Sequence, residues 1–204
     1  MKPHSLLSPE RISTLAVTAA FAIAAAFASS SFAQGTLDKV RKAKVMVAGN
    51  SGSYPPFEMM EGNKLIGFDV DMAEELGKRM GVSIKWEVID FKGIIAALTS
   101  KRVDVLISAI TWTQERAERV SFSIPYYDAG IGALYRGNAP IAKIEDLKGK
   151  IVGVQLGSSG EVFVRTQLGK EVKEIKTYDA ILLAVKDLEN GRESSTITGI
   201  VRAA

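Results

Sequence analysis

Ser108, Thr111, Thr113 and Arg116 are the residues of this sequence whose types and spacing most suggest chemistry. They lie in V-L-I-S-A-I-T-W-T-Q-E-R-A-E-R, Val105–Arg119. An apolar, β-branched run from Val103 to Ile110 reads as a buried strand. Thr111 and Thr113 break the run. Thr113 is a good helix N-cap, and Gln114–Arg119 reads as the helix, with Glu115 in its first turn. A strand running into a helix N-terminus presents free backbone N–H groups and the positive end of a dipole. Arg116 adds a planar, permanently charged fork that fits a carboxylate in bidentate fashion. The stretch therefore reads as a site for a small anion, most simply a carboxylate. Its competitor is a surface arginine paired with Glu115 or Glu118.

The elements around this stretch alternate. Val45–Ala48 reads as a strand and 49–57 as a loop rich in Gly, Ser and Pro, in which Pro55 and Pro56 disfavour helix. Glu61–Lys64 reads as a turn. Asp69 reads as the cap of a helix, Val70–Met80, that stops at Gly81. Ser83–Ile89 reads as the next strand, and Ile94–Thr99 as the next helix. Strand and helix in alternation imply βαβ units and a parallel sheet, whose ligands bind beyond the carboxyl ends of the strands. Ser51, Tyr54, Phe91, Ser108, Thr111 and Arg116 all fall there. Tyr54 and Phe91 could clamp a ligand between them, whereas Phe57 reads as core.

A second α/β series follows the strand-like, Gly-containing run 129–136. It comprises a short helix Ile144–Leu147, a strand Ile151–Val154, the loop Q-L-G-S-S-G at 155–160, a helix Glu161–Leu168, a strand near Val172–Thr177, and a helix capped by Asp179 running to Asn190. The glycine loop is neither a P-loop nor a dinucleotide fingerprint, because no Lys follows and the spacing differs. Two lobes with anion-friendly junctions, joined by a hinge strand, are a recurrent ligand-closing device.

Composition narrows the chemistry. The chain has no cysteine, and its one histidine, His4, lies in a stretch that reads as a secretory leader. That leader, residues 1–33, has Lys2 and Arg11 ahead of the apolar run Ile12–Ala28, and Ser31-Phe32-Ala33 before Gln34 as a cleavage site. An uncleaved membrane anchor is the competing reading, and the run is short and Ala-rich for one. The absence of cysteine excludes a disulfide framework and an N-terminal lipid-modified cysteine. The mature chain, without His or Cys, has no Ser-His-Asp triad, Cys nucleophile or ordinary zinc site, and no metal or cofactor is expected. Without the leader the formal charge of +3 becomes roughly +2. Bases and acids are interspersed, so nucleic-acid binding has no support.

Several longer motifs carry a resemblance: Y-P-P-F-E-M at 54–59, G-F-D-V-D-M-A-E-E-L-G-K-R-M at 67–80, D-F-K-G-I-I-A-A-L at 90–98, S-A-I-T-W-T-Q-E-R at 108–116, F-S-I-P-Y-Y at 122–127 and D-L-K-G-K-I-V-G-V-Q-L-G-S-S-G-E at 146–161. In this order, over about Leu37–Arg192, they resemble the periplasmic solute-binding proteins, family 3, of polar amino acid ABC transporters. The resemblance implies an α/β, two-lobed, periplasmic-binding-protein-like (type II) fold. Its parts are a signal peptide (1–33), the N-terminal part of lobe 1 (34–128), a hinge strand (129–136) and part of lobe 2 (137–192). It implies a monomeric, non-enzymatic periplasmic receptor that delivers a polar amino acid to an inner-membrane permease.

It further implies that Arg116 grips the ligand α-carboxylate, helped by the N–H groups of Ala109 and Thr111 and the Ser159 hydroxyl. Tyr54 and Phe91 sandwich the ligand side chain, and Ser51 faces it where binders of basic amino acids often have Asp. Ser51 thus argues against Lys or Arg as ligand. Trp112 has no assigned role. Past Gly191-Arg192 the sequence E-S-S-T-I-T-G-I-V-R-A-A departs from the pattern. Residues 193–204 are expected to be an aberrant tail from truncation or frameshift, leaving lobe 2 and the return to lobe 1 incomplete, without an acid for the ligand ammonium. A dehydratase on the same fold would need an acid in the cleft, and none is seen in the cleft loops. A sensor or adhesin domain, or a non-functional fragment, are further alternatives.

Overall fold

The computed structural model describes residues 35–137 and 140–201. The expected leader, 1–33, lies outside the described residues. Residues 1–39 and 40–204 fall into separate units. Of the first, only Gly35–Lys39 is described, the opening of helix α1 (Thr36–Ala43).

Two lobes follow. The first is built on a parallel sheet in the order β5-β1-β6, from Val45–Asn50 (β1), Ser83–Val88 (β5) and Val105–Leu106 (β6). Helix α2 (Phe68–Met80) and helix α3 (Ile94–Thr99) are the crossovers, which fits the expected βαβ units. The strand expected over Val103–Ile110 shrinks to two residues. Val103 and Ile107 are nevertheless buried, so apolar content correctly marked the core but not the ladder. Ile89, Ile94, Ala97 and Val103 form one cluster beneath this sheet, and Val40, Met46 and Val82 another.

The loop after β1 holds an unpredicted antiparallel sheet of Ser53–Tyr54 (β2), Glu58–Glu61 (β3) and Lys64–Ile66 (β4). Its short strands gave no periodic signal. Gly67, at φ 130°, passes the chain into α2, and a Cβ there would overlap the Phe57 carbonyl oxygen. Asp69 does not cap α2. The N-cap is Gly67, and Asp69 in the first turn points across to the end of β6.

The second lobe is a four-stranded sheet in the order β7-β10-β8-β9: Ala129–Tyr135 (β7), Ile151–Gln155 (β8), Glu174–Tyr178 (β9) and Ser195–Val201 (β10). The strand expected as a hinge is thus an edge strand of this sheet. Helices α5 (Ser159–Gln167) and α6 (Ile181–Glu189) cover it. Asp179 caps nothing; α6 begins at Ala180 with no side-chain cap, and Asp179 reaches Lys92 instead.

The largest correction concerns the tail. Ser195–Val201, within the stretch expected to match nothing, form β10, which runs parallel to β8 and antiparallel to β7 in the middle of the sheet. Ser195 and Thr196 have no exposed surface. Ile197 joins Val152, Val154, Val164 and Leu168 in the core. The Glu193 carboxylate takes the Thr196 hydroxyl and the Tyr178 hydroxyl beneath the strand. β10 therefore fills the middle of the second lobe's sheet. The first lobe carries an apolar opening of about 780 Å3, lined by Leu98, Leu106, Ile110, Trp112, Phe122 and Ile124 among others.

Ile197→Ala should cost about 2–5 kcal/mol, the range for a buried aliphatic truncation, read as a lower urea midpoint. A midpoint equal to wild type would mean that β10 contributes nothing to the core.

Candidate amino acid-binding cleft

Short-range geometry first brings the strand ends together. Asn50, at the end of β1, is fully buried. Its Nδ2 donates to the Ile107 carbonyl at 2.7 Å, and its Oδ1 accepts from Gly52 N at 2.7 Å. This side chain pins the loop bearing Ser51 and Tyr54 to the end of β6; sequence reasoning missed it, although Asn at a strand end beside Gly is a turn-forming signal. Ser51 N then donates to Ser108 Oγ at 3.0 Å.

Arg116 lies in α4 (Gln114–Ala117), a helix of one turn. Thr113 caps it as expected, accepting from Arg116 N at 3.2 Å. The guanidinium turns back, with Nη1 donating to the Thr111 carbonyl at 2.7 Å. Nη2 crosses to the second lobe and donates to the Gly157 carbonyl at 3.0 Å. The guanidinium carbon also stands 5.5 Å from the centre of the Phe91 ring, a cation–π distance. Burial lowers the Arg116 pKa from its ordinary value, and the group stays charged. The competing reading of Arg116, an ion pair with Glu115 or Glu118, is not what its guanidinium makes.

On the opposite wall, Ser158 caps α5, and Gly157 N donates to Glu161 Oε2 at 2.7 Å. Gly157 sits at φ 79°, where a Cβ would come within 3.2 Å of Lys92 Cα. Only glycine permits so close an approach of the lobes. Lys92 Nζ and Asp179 Oδ1, 2.7 Å apart, form a second contact between the lobes at the surface.

One small cavity of about 40 Å3 lies between these walls. Ser51, Tyr54, Phe91, Ser108, Ala109, Thr111, Arg116 and Ser159 all line it, whereas Thr113 does not. Phe57 is buried, as read. Trp112 lines the apolar opening of the first lobe instead. The Ala109 N–H, expected to reach a ligand carboxylate, is committed to Asp69 Oδ2 at 2.6 Å. Among the described residues no group of His, Cys, Asp and Glu could hold a metal ion.

Glu58 was not foreseen, and it corrects the expectation that the cleft has no acid. It lines the cavity wall yet has no exposed surface. Its Oε1 accepts from Ser51 Oγ at 2.9 Å and from Ser108 Oγ at 2.5 Å. Burial, offset by these hydroxyls and reinforced by the charge of Asp69, pushes its pKa up to about 8. Asp69, also without exposed surface, is raised in the same direction by burial.

The residues matched to bacterial extracellular solute-binding proteins, family 3, are 46–197. The chain belongs to that family. The match includes 193–197, which removes these residues from the expected aberrant tail. The L-cystine-binding protein TcyJ of Escherichia coli K12 is 38% identical over 177 residues, 85% of this chain and 66% of TcyJ. The arginine-binding extracellular protein ArtP of Bacillus subtilis 168 is 38% identical over 159 residues, 76% of this chain and 60% of ArtP. The chain thus spans under two thirds of the length of these relatives. An ancestral arginine-binding protein bound to arginine superposes with a TM-score of 0.73 at 39% identity, covering 76% of this chain and 70% of that one. The ancestral amino acid-binding protein AncCDT-1, a precursor of cyclohexadienyl dehydratase, gives a TM-score of 0.76 at 32% identity, covering 80% and 74%.

Glu58 also has a consequence for stability. Unfolded, its carboxyl loses its proton near pH 4.5; folded, it keeps it to about pH 8. The folded state binds more protons across that window, so stability falls as pH rises through it and levels off above. The slope from Glu58 approaches about 1.4 kcal/mol per pH unit, and Glu58→Gln should remove it from a series of urea melts. An unaltered pH dependence in that variant would contradict the raised pKa.

Proposed function

We propose that this protein is the extracytoplasmic receptor of an ABC transporter, which binds a polar amino acid between its lobes and delivers it to a membrane permease. The observation that carries the reading is the convergence of eight residues from four separate stretches of the chain on one cleft. In this reading Arg116 takes the ligand α-carboxylate, with Thr111 and Ser159 beside it. Tyr54 and Phe91 flank the ligand side chain, and Ser51, Ser108 and Ala109 form the wall behind. The protein acts as a monomer in the periplasm after removal of residues 1–33, with cleavage near Ala33-Gln34.

The cavity of about 40 Å3 holds about one water molecule. A ligand therefore enters only when the lobes part. Opening breaks the Arg116–Gly157 contact, and an α-carboxylate then replaces the Gly157 carbonyl as the partner of the guanidinium. A charge-assisted, bidentate pair is stronger than the carbonyl contact it replaces, which makes closure on the ligand favourable. The Lys92–Asp179 pair is exposed and screened, so it resists opening little.

The kinship with a dehydratase precursor favours one second reading, an enzyme with Glu58 as its acid. Against it, Glu58 has no exposed atom and both cleft-side hydroxyls cover its Oε1. We expect no dehydration of cyclohexadienyl substrates. Turnover that disappears in Glu58→Gln would favour the enzyme.

Arg116→Ala should weaken amino acid binding by roughly 2–5 kcal/mol, because a desolvated carboxylate loses its charged partner. Calorimetry against a panel of L-amino acids measures this. Equal affinity in wild type and variant would refute the assignment of Arg116.

A further inference from the structure

Two carboxyl oxygens beneath the cleft, Glu58 Oε2 and Asp69 Oδ1, meet no protein donor and have no contact with solvent. The other oxygen of each group is saturated. Glu58 Oε1 takes the two serine hydroxyls, and Asp69 Oδ2 takes the Ala109 N–H and, at 3.1 Å, the Tyr126 hydroxyl. Two adjacent carboxylates cannot both be ionised in such a place, since each would be buried beside a like charge. The two side chains hydrogen-bond each other, so one of them must hold a proton. It belongs on Glu58, whose carboxyl is pushed up by burial and by the Asp69 charge, and which then donates to Asp69. The groups that face the pair are Tyr126, from the segment before β7, and Arg116 across the cleft. Tyr126 is held well above its ordinary pKa by burial and by both acids, so it remains a donor.

The geometry points to Glu58 and Asp69 as a proton-sharing carboxyl pair that positions the binding wall, turning the Ser51 and Ser108 hydroxyl oxygens toward the cleft as acceptors for a hydrogen-bond donor of the ligand. A hydroxyl has one proton, and both protons here are spent on Glu58 Oε1. Ser108 Oγ also accepts from Ser51 N, leaving it one lone pair, while Ser51 Oγ keeps two. This wall therefore selects an ammonium, amide or other N–H group and disfavours a second carboxylate. The negative charge stands one layer behind this wall, on Asp69. The same pair holds the loop end: Ala109 sits at φ 43°, a left-handed conformation rare for alanine, with its N–H tied to Asp69. Glu58 and Asp69 are positioning residues, acting through Ser51, Ser108 and Ala109.

The inference rests on the proposed function, and two variants with two readouts separate them. Glu58→Gln reproduces the protonated acid: its carbonyl accepts the two hydroxyls and its amide donates to Asp69. Glu58→Met keeps the bulk and removes every acceptor. In calorimetry of the full chain with L-cystine, L-arginine, L-histidine and L-glutamine, Glu58→Met should weaken binding about tenfold or more. Glu58→Gln should restore most of that loss. In the ligand-free protein, carbon-13 NMR of labelled Glu side chains should show one carboxyl titrating near pH 8 that vanishes in Glu58→Gln. That readout also applies if Glu58→Met fails to fold. Equal affinity in both variants, or titration of Glu58 in the ordinary carboxylate range, overturns the pair. If wild type binds none of the four amino acids, the proposed function fails, and the ligand-free titration alone decides the pair.

Discussion

The burial of two carboxyl groups beneath the cleft constrains much of the first lobe. Glu58 comes from the second strand of a small hairpin sheet, and Asp69 from the first turn of α2. Neither has exposed surface. Leaving either unpaired would cost several kcal/mol, of the order found for uncompensated buried charges. The fold answers with donors from three further places: the loop after β1, the end of β6 and the aromatic segment before β7. Packing helps from the other side, where Phe57 makes edge-on contact with Tyr127 and Phe68, and Phe68 stacks on Tyr126. Local choices that look arbitrary in isolation, such as an alanine at positive φ or an acid that declines to cap its helix, follow from satisfying this pair.

Above the pair, two polar contacts cross between the lobes, and helix α6 packs against β2. Arg116 reaches a backbone carbonyl of the second lobe, and Lys92 meets Asp179 at the surface. Both polar contacts lie at the exposed edge of the cleft. A ligand shifts the equilibrium between open and closed lobes only by its differential affinity for the closed form. In the proposed function, Ser159 on the second lobe would supply that difference, because it joins the Arg116 side of the cleft only on closure.

Much of this was legible in the sequence, for physical reasons that differ by residue. The helix Ile94–Thr99 and the short helix Ile144–Leu147 fall where expected, because an apolar face and a turn signal agree there. The cleft residues were found because strand ends in a parallel sheet converge by topology alone. Both predicted acid caps failed. Asp69 and Asp179 obey the local capping rule in sequence, yet each has a long-range partner that local rules do not see: Ala109 for one, Lys92 for the other. β10 was missed because its buried residues are Ser195 and Thr196 as well as Ile197, and a polar run does not announce a central strand. Its β-branched Thr-Ile-Thr sequence was the signal available. Glu58 was missed because nothing in a single sequence tells a surface acid from one folded beneath two serines.

The partner that Arg116 takes when a ligand binds decides whether this cleft is an amino acid site. A crystal structure of the full chain grown with an equimolar mixture of L-cystine, L-arginine, L-histidine and L-glutamine would show it. We predict an α-carboxylate on the Arg116 guanidinium, with Nη2 released from the Gly157 carbonyl and the ligand side chain between Tyr54 and Phe91. An amino acid seated elsewhere, with the Arg116–Gly157 contact intact, would contradict the account.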